Sequence, residues 1–146
     1  MKIALGADHG GFPLKEVIKN HLLGKGYEVL DCGTHSLESV DYPIFAKLVG
    51  QAVVKKEVDF GILVCGTGIG ISIAANKIPG IRAGLCTNTT MSRLTREHNN
   101  ANVLALGGRI IGDVLALEIV DTFLNTEFLG GRHENRINQL EFDCDL

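Results

Sequence analysis

The stretch Phe60-Gly61-Ile62-Leu63-Val64-Cys65-Gly66-Thr67-Gly68-Ile69-Gly70 decides which fold the rest of the chain must complete. An apolar run leads into a cysteine and a glycine-rich turn, and a helical pattern follows from Ile71. This order is typical of a strand buried on both faces that passes through a tight turn into a helix. It predicts one strand-turn-helix unit of an α/β fold.

Similar apolar runs occupy residues 3–6, 27–30, 82–86 and 103–106. Together with residues 60–64 they predict about five strands, each buried on both faces. Segments with helical spacing lie between them. The two clearest are Leu14, Val17, Ile18 and Leu22, and then Phe45, Leu48, Val49, Ala52 and Val53. The alternation predicts a doubly wound sheet, mostly or wholly parallel, with helices on both faces.

Three helices have recognisable limits or surfaces. Pro13 suits the first turn of the first helix, and Gly24 and Gly26 suit its end. A helix over residues 113–125 is apolar on more than one side, which indicates either a subunit interface or a deep position in its own core. A last helix over 134–142 has only Ile137, Leu140 and Phe142 to bury. We therefore expect it at the rim of the sheet or against a neighbouring subunit.

Size and composition narrow the class of protein. A chain of 146 residues with 45% hydrophobic content suits one core, so we expect a single domain over residues 1–146. The net charge of -3 and the scattered basic residues argue against nucleic acid as a partner. No apolar run approaches the roughly 20 residues of a membrane span, and no signal peptide is visible. We expect a cytoplasmic protein.

The four cysteines, Cys32, Cys65, Cys86 and Cys144, are widely spaced. Their spacing suggests neither a disulfide framework nor a zinc site, and we expect no metal and no cofactor. A free cysteine is usually a small buried hydrophobe, and this is our interpretation of Cys32, Cys86 and Cys144. Cys65 differs because it adjoins the glycine turn.

The glycines after Cys65 predict an anion site, because they let backbone N–H groups point into one concavity at a helix N-terminus. The turn lacks the Gly-Lys-Ser/Thr of a P-loop, and Ile71 replaces the third glycine of a dinucleotide motif. Ile71 also replaces the arginine of cysteine phosphatases. The remaining candidate for this site is an anion that forms during a reaction. A Cys65 thiolate, favoured by the helix N-terminus, can remove a proton from carbon while the N–H groups hold an enediolate.

Further polar residues follow the other strands or end helices. Thr67 can steer a substrate hydroxyl or cap the helix, and both roles stay open. His98 lies on the apolar face of its helix by spacing, which favours a core histidine, although its place at the helix end suits catalysis. Asp8 and His9 follow the first strand, where an Asx turn is the simplest explanation. The remaining candidates are three arginines near glycine turns that can clamp a phosphate: Arg109, Arg132 and Arg136.

Five motifs together resemble one known family. They are Asp8-His9-Gly10-Gly11, Asp41-Tyr42-Pro43, Cys65-Gly66-Thr67-Gly68-Ile69-Gly70-Ile71-Ser72-Ile73-Ala74-Ala75-Asn76-Lys77, Arg96-Glu97-His98-Asn99, and Gly130-Gly131-Arg132-His133 with Arg136. The chain is similar over nearly its whole length to the ribose-5-phosphate isomerase B family, which includes galactose-6-phosphate isomerase subunits. The resemblance implies a Rossmann-like subunit, a homodimer or dimer of dimers, a site shared between subunits, and no metal.

The resemblance also implies the role of each site residue. Cys65 would be the base that moves a proton between C1 and C2, and His98 the acid/base that opens the sugar ring. The anion hole would consist of Gly66, Thr67, Gly68, Ile69 and Gly70. Asp8 and Asn99 would contact sugar hydroxyls. Phosphate or substrate contacts would come from His9, Arg109, Arg132 and Arg136.

The predicted activity is interconversion of ribose 5-phosphate and ribulose 5-phosphate through a cis-enediolate. Two alternatives stay open. One is isomerisation of a six-carbon sugar phosphate such as allose or galactose 6-phosphate, and the other is a phosphosugar-binding module without catalysis. The ratio of the kcat/KM values for five- and six-carbon substrates distinguishes a pentose phosphate isomerase from a hexose phosphate isomerase, because an extra hydroxymethyl group must fit the same site.

Overall fold

Five strands alternate with helices, as the sequence predicts, in a computed structural model that describes residues 1–142. The strands are β1 (Lys2–Ala7), β2 (Glu28–Asp31), β3 (Phe60–Cys65), β4 (Ala83–Leu85) and β5 (Val103–Gly107). The helices are α1 (Phe12–Gly24), α2 (Tyr42–Val54), α3 (Ile69–Asn76), α4 (Thr89–Asn99), α5 (Asp113–Asn125) and α6 (Arg132–Ile137). Each strand is therefore followed by a helix, which is the pattern of a doubly wound fold.

The sheet has the strand order β2-β1-β3-β5-β4, and all four pairings are parallel. Helices α2 and α3 cover one face, where Phe45 and Val49 pack with Ile71. Helices α1 and α5 cover the other face, where Ile18 and Phe123 are fully buried. The direction of winding reverses between β1 and β3, and ligands of such sheets bind at the carboxyl ends of strands beside this point.

The prediction that every strand is buried on both faces is wrong for the two edge strands. β1, β3 and β5 are buried almost throughout, whereas no residue of β2 or β4 is fully buried. An edge strand has a neighbour on one side only, so part of its surface meets solvent. Leu48 of α2 was predicted to face the core and is 43% exposed instead.

The helix limits follow the sequence signals closely at α1 and α5. Pro13 lies in the first turn of α1, and the chain leaves the helix through Gly26 at φ 83°. Helix α5 spans the predicted residues, and Ile119 and Phe123 are buried within this chain. Of the two explanations for its apolar surface, the core of its own chain accounts for most of it.

The last helix differs from its prediction. Helix α6 begins at Arg132 and ends at Ile137, so it is shorter and earlier than the predicted 134–142. Its buried side chain is His133, while Leu140 and Phe142 are exposed. Short apolar spacing near the chain end was too weak a signal to fix this helix. Cys144, which we predicted to be a buried hydrophobe, lies outside the described residues.

Candidate active site

Cys65 is the last residue of β3 and lies beneath the glycine turn. It is 4% exposed, and its Sγ accepts a hydrogen bond from the backbone N–H of Gly68 at 3.1 Å. Gly68 has φ 79° and is the N-cap of α3, which begins at Ile69 rather than at the predicted Ile71. The thiol therefore lies at a helix N-terminus, where partial positive charge favours an anion.

Thr67 and Ile69 form the outer part of this turn. Thr67 Oγ1 accepts a hydrogen bond from the backbone N–H of Ile69 at 3.2 Å, but the N-cap of α3 is Gly68, so Thr67 forms a turn before the helix and the predicted cap is not formed. Both side chains are exposed, and Ile69 shows 52% of its surface. An exposed hydroxyl beside the thiol leaves the steering role of Thr67 as a prediction.

The turn after β1 packs directly against the glycine turn. Asp8 is 8% exposed, and its Oδ1 accepts hydrogen bonds from the N–H groups of Gly10 and Gly11 at 2.9 and 3.1 Å. This is the predicted Asx turn. A Cβ atom on Gly10 would lie 3.1 Å from the nitrogen of Gly66, and one on Gly11 would overlap the Val64 carbonyl. Glycine is therefore required here for close backbone approach.

The turn after β5 closes the other side. The N–H of Gly108 donates to the Cys65 carbonyl at 2.8 Å, and the N–H of Arg109 donates to the Gly66 carbonyl at 2.9 Å. The Arg109 side chain crosses Gly66, since a Cβ there would lie 3.3 Å from Arg109 Nη1. A guanidinium thus adjoins the turn that the sequence identified as an anion site. We call the turns after β1, β3 and β5 the cradle, with Asp8, residues 65–70 and Arg109 as its members.

Two aromatic residues border the cradle. A Cβ on Gly70 would lie 2.7 Å from Tyr42 Cζ, so the ring covers the start of α3. Tyr42 had no predicted role, and its only signal in the sequence is the Asp41-Tyr42-Pro43 motif. His9 Nδ1 accepts a hydrogen bond from the N–H of Val40 at 3.2 Å. That bond leaves Nε2 of His9 as the nitrogen that can donate.

A buried ion pair stabilises the chain next to the cradle. The Lys15 side chain is fully buried, and its Nζ contacts Asp31 Oδ1 at 2.7 Å and Glu16 Oε1 at 2.9 Å. Burial raises the pKa of Asp31, but hydrogen bonds from Lys15, the Gly33 N–H and Lys19 outweigh it and lower the pKa to about 2. Because the Gly33 carbonyl in turn accepts from the N–H of Ala7 at 2.7 Å, the ion pair holds the chain beside Asp8.

A second group of predicted site residues surrounds the end of α4. A pocket of about 320 Å³ is lined by His98, Asn99, Arg132, His133, Arg136, Ile137 and Leu140. The rings of His98 and His133 stack with centroids 4.2 Å apart and an interplanar angle of 10°. Burial first, and then electrostatic interactions with His98, Arg132 and Arg136, lower the pKa of His133. We call this the basic pocket, and its charge suits an anion.

His98 is half-buried and lines this pocket, so the apolar spacing of its helix gave the wrong default for it. Its position at the helix end was the better signal. His133 is 8% exposed and had no predicted role of its own. It belongs to the Gly130-Gly131-Arg132-His133 motif, and only the structure shows that its ring stacks on His98.

The cradle lies at the carboxyl ends of the strands, and the basic pocket lies at their amino ends. We call these two ends of the sheet its edges, as distinct from the edge strands β2 and β4. Helix α4 starts after β4 and returns to the amino ends of the strands, where the Asn102 carbonyl accepts from the N–H of Gly61 at 3.0 Å. Gly61 and Cys65 lie near opposite ends of β3, about 13 Å apart at the rise of a strand. The predicted clamp of Arg109, Arg132 and Arg136 is therefore not formed within one chain.

Comparison with known proteins gives consistent results. A family model described as ribose/galactose isomerase matches residues 3–140. Ribose-5-phosphate isomerase B of Escherichia coli K12 is 52% identical over 139 residues, which cover 95% of this chain and 93% of the relative. The structure of the Clostridium thermocellum ribose-5-phosphate isomerase B has a TM-score of 0.95 and 59% identity, with 96% of this chain and 95% of that chain covered. The structure of the Mycoplasma genitalium ribose-5-phosphate isomerase B with bound ribulose-5-phosphate has a TM-score of 0.92 and 43% identity, with 95% and 93% covered.

The fold is that of a Rossmann-like α/β protein whose glycine turns meet at the carboxyl ends of the strands, where sheets of this kind bind their ligands. This chain belongs to the ribose/galactose isomerase family, since the family model and the curated relative cover nearly all of it. The family resemblance predicted from the five motifs is therefore confirmed. Among residues 1–142, no helix is long and apolar enough to cross a membrane.

Proposed function

We propose that this chain is an aldose-ketose isomerase that interconverts ribose 5-phosphate and ribulose 5-phosphate in the cytoplasm. The observation that carries the proposal is the 3.1 Å hydrogen bond from the Gly68 N–H to Cys65 Sγ, at the start of a helix and beside Arg109. A thiol in that position is placed to act as a base within an anion site. The relatives named above support the choice of sugar.

Cys65 is the proposed base for the proton transfer. Its thiolate removes the C2 proton of the open-chain aldose, and the electron pair forms a C1–C2 double bond while negative charge moves to the aldehyde oxygen. Return of the proton to C1, with transfer of the O2 proton to O1, gives the ketose. The N–H groups of residues 66–70 and the Arg109 guanidinium stabilise the enediolate, whose charge exceeds that of either sugar.

The basic pocket supplies the other half of the reaction. His98 opens the furanose ring by proton transfer between the ring oxygen and the C1 hydroxyl. Asp8 and Asn99 hold sugar hydroxyls. Arg132 and Arg136 of the basic pocket bind the phosphate together with His9, which borders the cradle.

Each site combines the cradle of one chain with the basic pocket of a second copy. A pentose phosphate cannot reach from Cys65 to His98 of the same chain, because the sheet separates them. The surface around the cradle also suits a partner, since Tyr42, Ile44, Ile69 and Ile73 are each at least 39% exposed and lie on α2 and α3. A homodimer, alone or paired into a dimer of dimers, completes two identical sites.

A six-carbon sugar phosphate is the second candidate substrate, because the matching family model is described by both ribose and galactose. A phosphosugar-binding module without catalysis is the third possibility. The three functions differ in what happens at carbon, since only an isomerase exchanges a C1 or C2 proton with solvent.

A substrate panel in heavy water tests these functions together. We expect deuterium at C1 of ribulose 5-phosphate and a kcat/KM for ribose 5-phosphate that exceeds those for allose and galactose 6-phosphate. A preference for a six-carbon substrate would establish the second function. Binding by titration without any proton exchange would establish the third and refute an isomerase.

A further inference from the structure

The end of α4 has an unusual conformation directly after His98 and Asn99. Asn100 is left-handed, with φ 45° and ψ 44°, and its N–H donates back to the carbonyls of Arg96 and Thr95. Asparagine tolerates this conformation better than most residues, but it still needs support. The last carbonyls of any helix also lack partners within the helix. The residues that satisfy them here decide where His98 and Asn99 lie.

Arg82, which precedes β4, binds these carbonyls from one side. Its Nε lies 3.0 Å from the Asn99 carbonyl oxygen and 3.1 Å from that of Asn100, and its Nη2 lies 3.0 Å from the Asn100 carbonyl oxygen. A guanidinium can serve two acceptors at once because its N–H groups form a rigid fork. Its charge also complements the negative end of the helix dipole.

Arg96 holds the same turn from the other side. Its Nη1 donates to Asn100 Oδ1 at 2.9 Å and to the Ala101 carbonyl at 2.7 Å, and its Nε donates to the Thr126 carbonyl at 3.2 Å. The guanidinium carbon lies 4.8 Å from the ring centre of Phe60, a cation–π contact in the core. Asn100 is therefore held through its carbonyl by Arg82 and through its side chain by Arg96.

This arrangement is costly for a purely structural cap. The Arg96 guanidinium is buried and the Arg82 guanidinium is half-buried, and burial lowers the pKa of each. Within residues 1–142 neither forms a salt bridge, so backbone carbonyls and one amide oxygen take the place of carboxylates. Hydrogen-bonded carbonyls stabilise a buried charge less than a paired carboxylate does. The rigid fork of N–H groups on a guanidinium is well suited to fixing the position of the helix end.

We propose that Arg82, acting with Arg96, is a positioning residue that fixes His98 and Asn99 in the basic pocket, an inference that rests on the proposed function. We call these two arginines the arginine clasp. Arg82 touches backbone atoms of the helix end and lines a neighbouring pocket of about 330 Å³, which it shares with Asn99. Its loss should impair the step that needs His98 and spare the step that needs only Cys65.

Two assays separate those steps. Turnover of ribose 5-phosphate requires ring opening by His98, whereas ribulose 5-phosphate is acyclic, so exchange of its C1 proton needs Cys65 and no ring opening. We expect Arg82→Gln to lower turnover of ribose 5-phosphate about 10- to 100-fold, the size of effect that a small misplacement produces. We expect C1 exchange with deuterium, measured at saturating ribulose 5-phosphate, to change by less than about threefold, because that step needs Cys65 and no ring opening by His98.

Two further variants provide the comparison. Arg82→Lys keeps the charge but loses the fork, so its loss of turnover should be intermediate, and it carries the test if Arg82→Gln does not fold. Arg93→Gln is the matched control. Arg93 lies on the same helix with its side chain 48% exposed, and its contact is a surface ion pair with Glu97. Such pairs contribute little, so both assays should stay near wild type.

The variant His98→Asn separates a failure of the clasp's positioning role from a failure of the role proposed for His98. It should show the same split between turnover and exchange. If it does, and Arg82→Gln lowers both rates equally or neither, the clasp has no positioning role and the inference fails while the proposed function stands. If His98→Asn itself shows no split, the assigned role of His98 is wrong, and the inference fails with it.

Discussion

The two edges of the sheet carry different halves of the proposed site, and they are built from different parts of the chain. The cradle consists mainly of backbone N–H groups, brought together by glycines that follow β1, β3 and β5. The basic pocket consists of side chains at the end of α4 and the start of α6. A backbone site is formed by folding itself, whereas a side-chain pocket depends on what holds the helix ends.

The difference shows which contacts each half of the reaction needs. The cradle is complete within one chain, because its hydrogen bonds to Cys65 and Gly66 come from residues 68, 108 and 109. The basic pocket contains the groups proposed to bind the phosphate and to open the ring, whereas Cys65, the proposed base at carbon, belongs to the cradle. Substitutions can therefore disable each half separately.

The largest effect is expected from Cys65→Ala. Loss of the proposed base should lower kcat for ribose 5-phosphate by about 10²- to 10⁴-fold, the usual contribution of a general base. Substrate binding should persist, because the phosphate contacts proposed for His9, Arg132 and Arg136 do not involve Cys65. Steady-state kinetics and titration calorimetry measure the two quantities.

The matched control for this prediction is Cys86→Ala. Cys86 is also a strand-end cysteine, but it is 1% exposed and burial raises the pKa of its thiol to about 12. Its removal should cost about 1 kcal/mol of stability through a small cavity and leave kcat within twofold of wild type. Equal losses in the two variants would mean that Cys65 is a core residue and that the base lies elsewhere.

A smaller effect on activity is expected from Gly68→Ala, which alters the shape of the cradle but keeps the thiol. Gly68 has φ 79°, and a Cβ there would lie 2.6 Å from Leu85 Cδ1 and 2.8 Å from the carbonyl carbon of Leu106. The strain should cost about 2 kcal/mol of unfolding free energy. Displaced N–H groups should lower kcat about tenfold or more, because they no longer meet the enediolate oxygens.

Gly24→Ala is the control glycine, because nothing lies within 4 Å of a Cβ at that position. It ends α1, far from the cradle. The change should stabilise the protein by about 0.4–1 kcal/mol and leave kcat unchanged. Urea denaturation and kinetics on both variants check this pair. A Gly68→Ala protein with full activity would show that the cradle does not bind the reacting oxygens.

The smallest effect concerns acid stability, in which the two edges should also differ. The pKa of Asp31 is lowered to about 2 from an ordinary value near 3.8. A depressed carboxyl pKa stabilises the fold above the unfolded value, and that contribution disappears as pH falls from about 4 to 2. We expect a loss of about 1–2 kcal/mol over this range, reduced by partial solvent screening.

Asp31→Asn should abolish this particular acid dependence and lower stability at neutral pH, because Lys15 would keep its buried charge without Asp31. Denaturation curves at pH 2, 4 and 7 measure both effects. The arginine clasp has no group that titrates in this range, so Arg82→Gln should leave the acid dependence as it is. An unchanged acid profile in Asp31→Asn would show that this pair does not hold the Cys65 edge.

The cradle could be predicted from sequence because its signals are local. An apolar strand that runs into Cys65, followed by glycines and a helix, specifies a backbone anion site without knowledge of any other contact. The parallel sheet places the turns after β1 and β5 beside it by topology alone. Tyr42 escaped this reasoning, because its contact with Gly70 joins two helices that are distant in sequence.

The basic pocket was less predictable because its residues meet through tertiary contacts. Helical spacing favoured a core position for His98, and nothing in the spacing placed His133 against it. The roles of Arg82 and Arg96 depend on the left-handed turn at Asn100, which no sequence pattern revealed. The separation of Cys65 and His98 depends on the direction in which α4 crosses the sheet, and only the structure gives it.

Hybrid dimers test most directly whether each site joins the two edges of different chains. One chain would carry Cys65→Ala and the other His98→Asn, with two different tags so that the hybrid can be purified. In a shared site, one of the two sites then keeps both residues. We therefore predict about half the wild-type turnover of ribose 5-phosphate per dimer, although each parent dimer is nearly inactive.

The reciprocal hybrid pairs a wild-type chain with one that carries both substitutions. A shared site leaves each of its two sites with one residue missing, so this hybrid should be nearly inactive. A site contained within one chain predicts the reverse, with no activity in the first hybrid and half in the second. Half activity in the second hybrid and none in the first would contradict a shared site. A shared site predicts about half the wild-type activity in the first hybrid and almost none in the second.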